Sequence, residues 1–403
     1  MGRQGSGAPS RTVLEVSLLR TELEARVPEA RERPGDVRIV RAPGRVNLIG
    51  EHTDYNDGLV LPAAIGLEIW IAYLPGDDRI VELTSLETGR SGRFDLTAIG
   101  GRRRRWIDYV AGTAWALGEA GQPTVGLRGV TASSLPVSAG LSSSAAIELA
   151  SAWALSGPDG PRVDGMTLAR ICQRAENAFV GVNSGLMDQF ASSLGEAGSA
   201  LLLDCRSLGY EAVPLPLEEH QLVVCHTGSQ RRLEASQYNA RRAQCERAVA
   251  VLAGQGLPVR SLRDVTPEML PELRTRLDDE GCRRAEHVVL ENERVLATVE
   301  ALRTGDLAAV GRLWAESHAS LRDRYEVSSP ELDALVEIAA GVEGVMAARM
   351  TGAGFGGCTV NLVRRDALDR LVEAVGRDYP ARTGLTPHVY PVEPVAGAGF
   401  VAR

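Results

Sequence analysis

APGRVNLIGEHTDYNDGLVLPAAI, residues 42–65, sets Arg45, Glu51, His52 and Asp54 within a span of ten residues. They flank an apolar Leu48-Ile49-Gly50 and lie between hydrophobic runs, so the segment is held against a core at both ends. Four scattered charges would read as a solvated turn, whereas charges anchored in this way converge. Carboxylates and an imidazole accept from or donate to hydroxyl groups, which suits a polyhydroxylated ligand. Arg45 adds a fixed cation able to face phosphoryl oxygens or a carboxylate. Upstream, VRIVRAPG (38–44) reads as a strand that stops at its Pro-Gly break. Downstream, LEIWIAYL (67–74) and RIVELTS (79–85) read as strands joined through Gly76-Asp77-Asp78.

Two small-residue segments lie further along. In SLPVSAGLSSSAAIELA (134–150) the small side chains let backbone N–H groups approach an anion, and the helix that follows points its positive end there. A tight turn is the plain alternative, but three consecutive hydroxyls directly before a helix favour the anion reading. Ser144 at the helix entry could also coordinate a hard metal ion. RMTGAGFGGCTVNLV (349–363) interleaves Gly352, Ala353, Gly354, Gly356 and Gly357 with Phe355 before a β-branched run. A connection between strands explains it equally well. The strand that follows is the wrong context for a dinucleotide fingerprint, which opens a helix.

Between these segments stand two acids in apolar surroundings. Glu176 belongs to TLARICQRAENAFVG (167–181), a helix with Leu168, Ile171, Cys172, Ala175 and Phe179 on one face and Thr167 as a candidate N-cap. An unpaired carboxylate there is costly, and a metal ion would relieve the cost. Asp188, in NSGLMDQFASSLG (183–195), is either a catalytic base or a structural charge at a helix start. Spacing alone does not choose.

The rest of the chain narrows the classes. At 403 residues two domains are expected, with the boundary between about 205 and 230, and the stretch from Thr227 to about 341 reads as largely helical. All 44 basic residues are arginine, so neither a Walker-A lysine nor a Schiff-base lysine exists. A net charge of −8 argues against nucleic acid or an acidic membrane as a partner. The run Arg102–Arg105 reads as a solvated loop before a helix, and Pro28–Pro34 as a linker. No stretch approaches the roughly 18 apolar residues of a membrane span. The first eleven residues read as a disordered leader rather than a secretion signal, followed by an amphipathic helix over 12–28. Six cysteines without paired spacing indicate free thiols in a reducing, cytoplasmic setting.

The three segments together resemble the three signature motifs of the GHMP small-molecule kinases. GRVNLIGEHTDYN resembles the signature of the galactokinase branch, and MDQF and SQYNARRAQCE (236–246) are similar to further segments of that branch. The likeness spans about residues 35–400. Two departures stand out: Gly-Ala-Gly where many relatives have three glycines, and Asn177 where many have histidine.

The resemblance implies an α/β (α+β) fold of two domains with the site in the cleft between them. A ribosomal-protein-S5-like domain over 12–215 would bind galactose and ATP, and a ferredoxin-like domain over 216–403 would follow. Glu51, His52 and Asp54 would bind sugar hydroxyls, joined by Gly185 and Tyr238. Asp188 would face the C1 hydroxyl as base, with Arg45 between it and the γ-phosphate. Ser138, Ala139, Gly140, Leu141, Ser142, Ser143 and Ser144 would cradle the phosphates of ATP. Ser144 and Glu176 would hold Mg2+, Ser85 would touch the nucleotide, and Gly352 and Gly354 would shape the cleft. The implied protein is a monomer, or a dimer, acting on small molecules, with no nucleic acid or membrane partner. Competing readings are a related kinase for N-acetylgalactosamine, arabinose or mevalonate, and a catalytically silent galactose sensor. A dinucleotide-dependent oxidoreductase lacks the required loop context.

Overall fold

The structure, a computed structural model, describes residues 15–136, 139–229 and 234–402. The expected leader and the phosphate-loop residue Ser138 therefore lie outside the described residues. In chain order the strands are Arg38–Asn47 (β1), Leu59–Val60 (β2), Pro62–Gly76 (β3), Ile80–Ser85 (β4), Ser91–Asp95 (β5), Gly126–Ser133 (β6), Ser199–Asp204 (β7), Tyr210–Pro214 (β8), His220–His226 (β9), Val345–Thr351 (β10), Cys358–Arg364 (β11), His388–Val392 (β12) and Gly399–Ala402 (β13).

The first sheet runs β13-β1-β3-β6-β4-β5, antiparallel except for the β4–β6 pair. Its inner strands alternate little because both faces are covered, and Ala63 to Ile65 and Ile71 to Tyr73 are fully or almost fully buried. On one face lie the helices Ile107–Glu119, Ser143–Leu155 and Met187–Leu194. Ser143–Leu155 is rich in alanine, which lets it sit close beneath β1. The helix Val16–Arg26 covers the other face through Leu19 and Leu23.

The second sheet runs β10-β11-β9-β12 and is wholly antiparallel. Its chain order is strand, helical insert, two strands, helix Leu368–Thr383, strand, with the first and third strands adjacent at the centre. That is the split βαβ arrangement of a ferredoxin-like domain. A small third sheet, β2-β7-β8, takes in the short strand Leu59–Val60 from within the 42–65 segment.

Several local expectations give way to packing. β1 does not stop at Pro43-Gly44 but continues to Asn47 across a bulge there. β13 pairs only with Ile39 to Arg41, so the N–H that Pro43 lacks is not needed on that side. The chain end returns to the first sheet, so the 216–403 division does not follow the sheets over its last residues. Pro28–Pro34 is not an open linker: it holds a one-turn helix, Glu29–Glu32, whose Ala30 is buried with Val27 and Leu23. Asp164, not Thr167, caps the helix Gly165–Arg174, accepting from Thr167 N–H at 2.8 Å. After Arg174 the backbone widens into a π-helical turn, Ala175–Val180, which carries Glu176.

Candidate active site

β1 ends directly into the loop bearing Glu51, His52 and Asp54, beside the mouth of the helix Ser143–Leu155. A cavity of about 310 Å³ opens there. Arg45, Asp54, Glu176, Asp188, Tyr238 and Gly352 line it, together with Gly140 and Ser142 to Ser144. Residues far apart in sequence thus share one wall.

Arg45 is the link between its two ends. Its Nε donates to Asp188 Oδ1 at 2.8 Å, Nη2 lies 2.7 Å from the same oxygen, and Nη1 donates to Gly140 O at 2.8 Å. The Arg45 N–H also donates to Leu141 O at 3.1 Å, tying the serine loop to β1. Asp188 sits in the first turn of Met187–Leu194 with its side chain 23% exposed to the cavity.

Asp54 accepts from Tyr55 N–H at 3.0 Å. Burial pushes its carboxyl up to about 6, and the negative charge of Asp188 adds to the shift. Gly185 has no side chain for a concrete reason: a Cβ there would lie 1.7 Å from Asp54 Oδ2. The Tyr238 hydroxyl lies against the Gly185 N–H, and its ring packs 5.5 Å from His52 and 5.3 Å from Tyr55.

His52 departs from its expected part. Nε2 meets Ala353 O at 3.1 Å and therefore carries the proton, while Nδ1 accepts from Tyr55 Oη at 2.8 Å. Burial lowers its pKa to about 3, so the ring is neutral and both nitrogens are engaged within the protein. The imidazole has no free atom for a sugar hydroxyl. Glu51 is also tied internally, against Arg349, and accepts from Gly352 N–H at 3.2 Å. Burial raises its pKa despite Arg349. Its Oε1 takes the Gly352 N–H and its Oε2 sits against Arg349, so Glu51 borders the cavity as part of a buried wall.

The serine loop is divided in the same way. Gly140, Ser142, Ser143 and Ser144 line the cavity, whereas Ala139 and Leu141 turn their side chains into the core. Ser142 adopts φ 60° and makes no side-chain cap to the helix, leaving the first-turn N–H groups without a side-chain partner. Of the two glycines expected to shape the cleft, only Gly352 reaches it. Gly354 packs against the backbone instead, since a Cβ would come within 2.2 Å of Val327 O.

Glu176 has the surroundings of a metal ligand. It is almost wholly buried, and burial raises its pKa. Its partners are neutral: Ser184 Oγ at 2.5 Å, Gln189 Nε2 at 2.8 Å and the Ser144 hydroxyl. An oxygen-only donor pair, Ser144 and Glu176, fits a hard cation that takes its remaining ligands from phosphate and water. Among the described residues no cluster of three or more His, Cys, Asp or Glu side chains could hold a metal by itself.

A second cavity of about 680 Å³ adjoins the first, sharing Tyr109, Ser143 and Ser144. Ser85 lies here rather than beside Asp188, with Glu87, Arg104, Arg105 and Trp106. Arg104 and Arg105 thus border a cavity, so the basic run is more than a solvated face. Sequence reading missed Trp106, Tyr109 and Gln189; the phrase RRWIDYV showed only a helix start.

Comparison with known proteins agrees with this geometry. The galactokinase galactose-binding signature matches residues 30–75, the GHMP kinases N-terminal domain 108–196, and the GHMP kinases C-terminal domain 298–381. The galactokinase of Chloroflexus aurantiacus is 46% identical over 363 residues, covering 90% of this chain and 92% of that protein. The chain belongs to the galactokinase family. It is thereby an ATP-dependent sugar kinase of the GHMP class. Another galactokinase, from Roseiflexus sp., is 45% identical over 363 residues, 90% of this chain and 93% of the relative. The crystal structure of Lactococcus lactis galactokinase complexed with galactose superposes with a TM-score of 0.88 at 36% identity, covering 93% of this chain and 99% of that one. The Methanococcus jannaschii mevalonate kinase shares the fold at 18% identity, with a TM-score of 0.65 over 90% of this chain and 99% of its own. Among the described residues of this galactokinase-family chain, no helix is long and apolar enough to cross a membrane.

Proposed function

We propose that the chain transfers the γ-phosphoryl group of Mg-ATP to the C1 hydroxyl of D-galactose, giving galactose 1-phosphate and ADP. The observation that carries this reading is Arg45, which touches Asp188 at one end and the serine loop at the other. A sugar hydroxyl at Asp188 and a phosphate at the loop then lie on opposite sides of one guanidinium.

Asp188 orients the C1 hydroxyl and accepts its proton as the new P–O bond forms. Arg45 faces the equatorial oxygens where charge concentrates during transfer. Asp54 and Tyr238 hold the remaining sugar hydroxyls, with Glu51 in the wall beside them. First-turn N–H groups and the hydroxyls of Ser142 to Ser144 receive the phosphates. Ser144 and Glu176 hold Mg2+, which when bound neutralises phosphate charge. The nucleoside occupies the adjoining cavity beside Ser85 and Trp106. Most of the acceleration comes from positioning.

An ADP-release assay with Mg-ATP against galactose, N-acetylgalactosamine, arabinose, glucose and mevalonate tests the reading. Turnover on galactose alone is expected. Turnover on a different sugar moves the pocket assignment, and galactose binding without turnover indicates a sensor.

A further inference from the structure

Arg349 has no part in the chemistry above, yet it is fully buried one strand away from it. It lies on β10, three residues before Gly352. Nη1 donates to Leu48 O at 2.9 Å, Nη2 donates to Ser317 Oγ at 3.0 Å, and the same Nη2 pairs with Glu51 Oε2. One side chain of the second domain therefore grips both the main chain and the carboxylate of the first-domain sugar loop.

The grip is supported from behind. Glu291 accepts from Gly50 N–H at 3.1 Å and from Ser317 Oγ at 2.5 Å, and pairs with Arg294 at 2.7 Å. Asn292 accepts from Leu59 N–H at 2.8 Å, and His287 Nε2 donates to Glu51 O at 3.1 Å. These groups project from one helix, Asp279–Thr304, onto residues 50, 51 and 59. In front, the loop holds the glycine turn residue by residue. Asn47 N–H donates to Thr351 Oγ1 at 2.8 Å, Gly352 N–H to Glu51 at 3.2 Å, and His52 to Ala353 O at 3.1 Å. The sugar loop and the glycine turn are thus bonded to each other at three successive positions of the turn.

We propose that Arg349 is a positioning residue for sugar binding: its guanidinium fixes where the Glu51 carboxylate sits, and through Glu51 the Gly352 side of the cavity. The proposal rests on the sugar-kinase reading above. A planar fork can reach a carbonyl and a carboxylate together, which a lysine ammonium on a flexible stem cannot do in the same geometry. Charge alone is therefore insufficient. Glu51 Oε2, set against Arg349, is the atom whose placement matters.

The test is steady-state kinetics of Arg349→Lys, with Tm measured alongside, using whichever sugar of the panel the wild type turns over fastest. Failure of the galactose assignment then leaves the test standing. KM for the sugar is expected to rise about 10- to 100-fold, with kcat and KM for ATP within about threefold, as for a small misplacement of a binding group. Glu51→Gln combined with Arg349→Lys should cost in sugar KM no more than the worse single change, because the two act as one unit. A lowered Tm with sugar KM within about twofold of wild type makes the role merely architectural and overturns the proposal. So do additive effects of the two changes. If Arg349→Lys does not fold, Ser317→Ala removes the partner behind the fork while leaving every cavity residue in place. A rise in sugar KM of about threefold is expected from it, and an unchanged KM overturns the proposal.

Discussion

Two arginine–carboxylate pairs stand on the walls of one cavity, and burial separates their roles. Arg45–Asp188 leaves the carboxylate 23% exposed, with Arg45 reaching on to the phosphate loop. Arg349–Glu51 is sealed, at 0% and 1% exposure, with both partners bound to main chain on either side of the domain boundary. An open pair can exchange its partner for a substrate during a reaction. A sealed pair cannot do so without stranding a charge, so it holds geometry instead.

The comparison is broken or sharpened by substitution. Asp188→Asn should lower kcat by more than about a hundredfold while leaving Tm within a few degrees, because the lost group acts on the reacting hydroxyl and not on the core. Near-normal turnover in this variant removes Asp188 as base. Arg349→Met should do the reverse in kind. It leaves Glu51 buried against no cation, a loss of about 3–5 kcal/mol in chemical denaturation; equal stability to wild type would show that the pair is not sealed in solution.

Gly185→Ala comes next. A methyl group 1.7 Å from Asp54 Oδ2 must displace the carboxylate, at about 1–3 kcal/mol of overpacking. Sugar KM is expected to rise about tenfold or more with KM for ATP unchanged. Unaltered sugar KM would place the sugar elsewhere.

Asp54 supplies a pH test with a defined sign. Its carboxyl is raised to about 6 in the folded protein, against an ordinary value near 3.8. Its neutral form is thus favoured by folding, and the associated stability is present below pH 4 and lost as pH rises through about 6. Relative to Asp54→Asn, the wild type should lose on the order of 1–3 kcal/mol across that window. Sugar binding runs the other way, since accepting hydroxyl protons needs the carboxylate. Sugar KM should fall as pH rises through 6, and Asp54→Asn should flatten the profile. Ser85→Ala is the smallest expected change, a rise of about two- to threefold in KM for ATP with sugar KM constant. A larger effect on the sugar would contradict its place in the adjoining cavity.

Local chemistry was legible wherever a motif was contiguous. The loop 139–144 is where small residues and a following helix place it, and β10 and β11 flank the glycine turn as the β-branched run indicates. Reading failed where a residue's role depends on what faces it from another element. Gly352 and Gly354 look alike in sequence; one meets the cavity and the other meets Val327 O. His52 looks like a ligand in its motif but spends both nitrogens on Tyr55 and Ala353.

By itself, then, the sequence determined the segments, their hydroxyls, glycines and acids, the absence of any lysine-based phosphate site, and the likeness to a kinase family. These follow from side-chain chemistry and short-range periodicity, which act within a few residues. Only the tertiary structure decided which carboxylate faces the cavity and which is sealed. It also decided that the chain end returns to β1, and that Arg349 joins Leu48, Glu51 and Ser317. The reason is physical: burial and pairing are set by partners some 300 residues away, as with Asn47 and Thr351, and those contacts exist only once both sheets have formed.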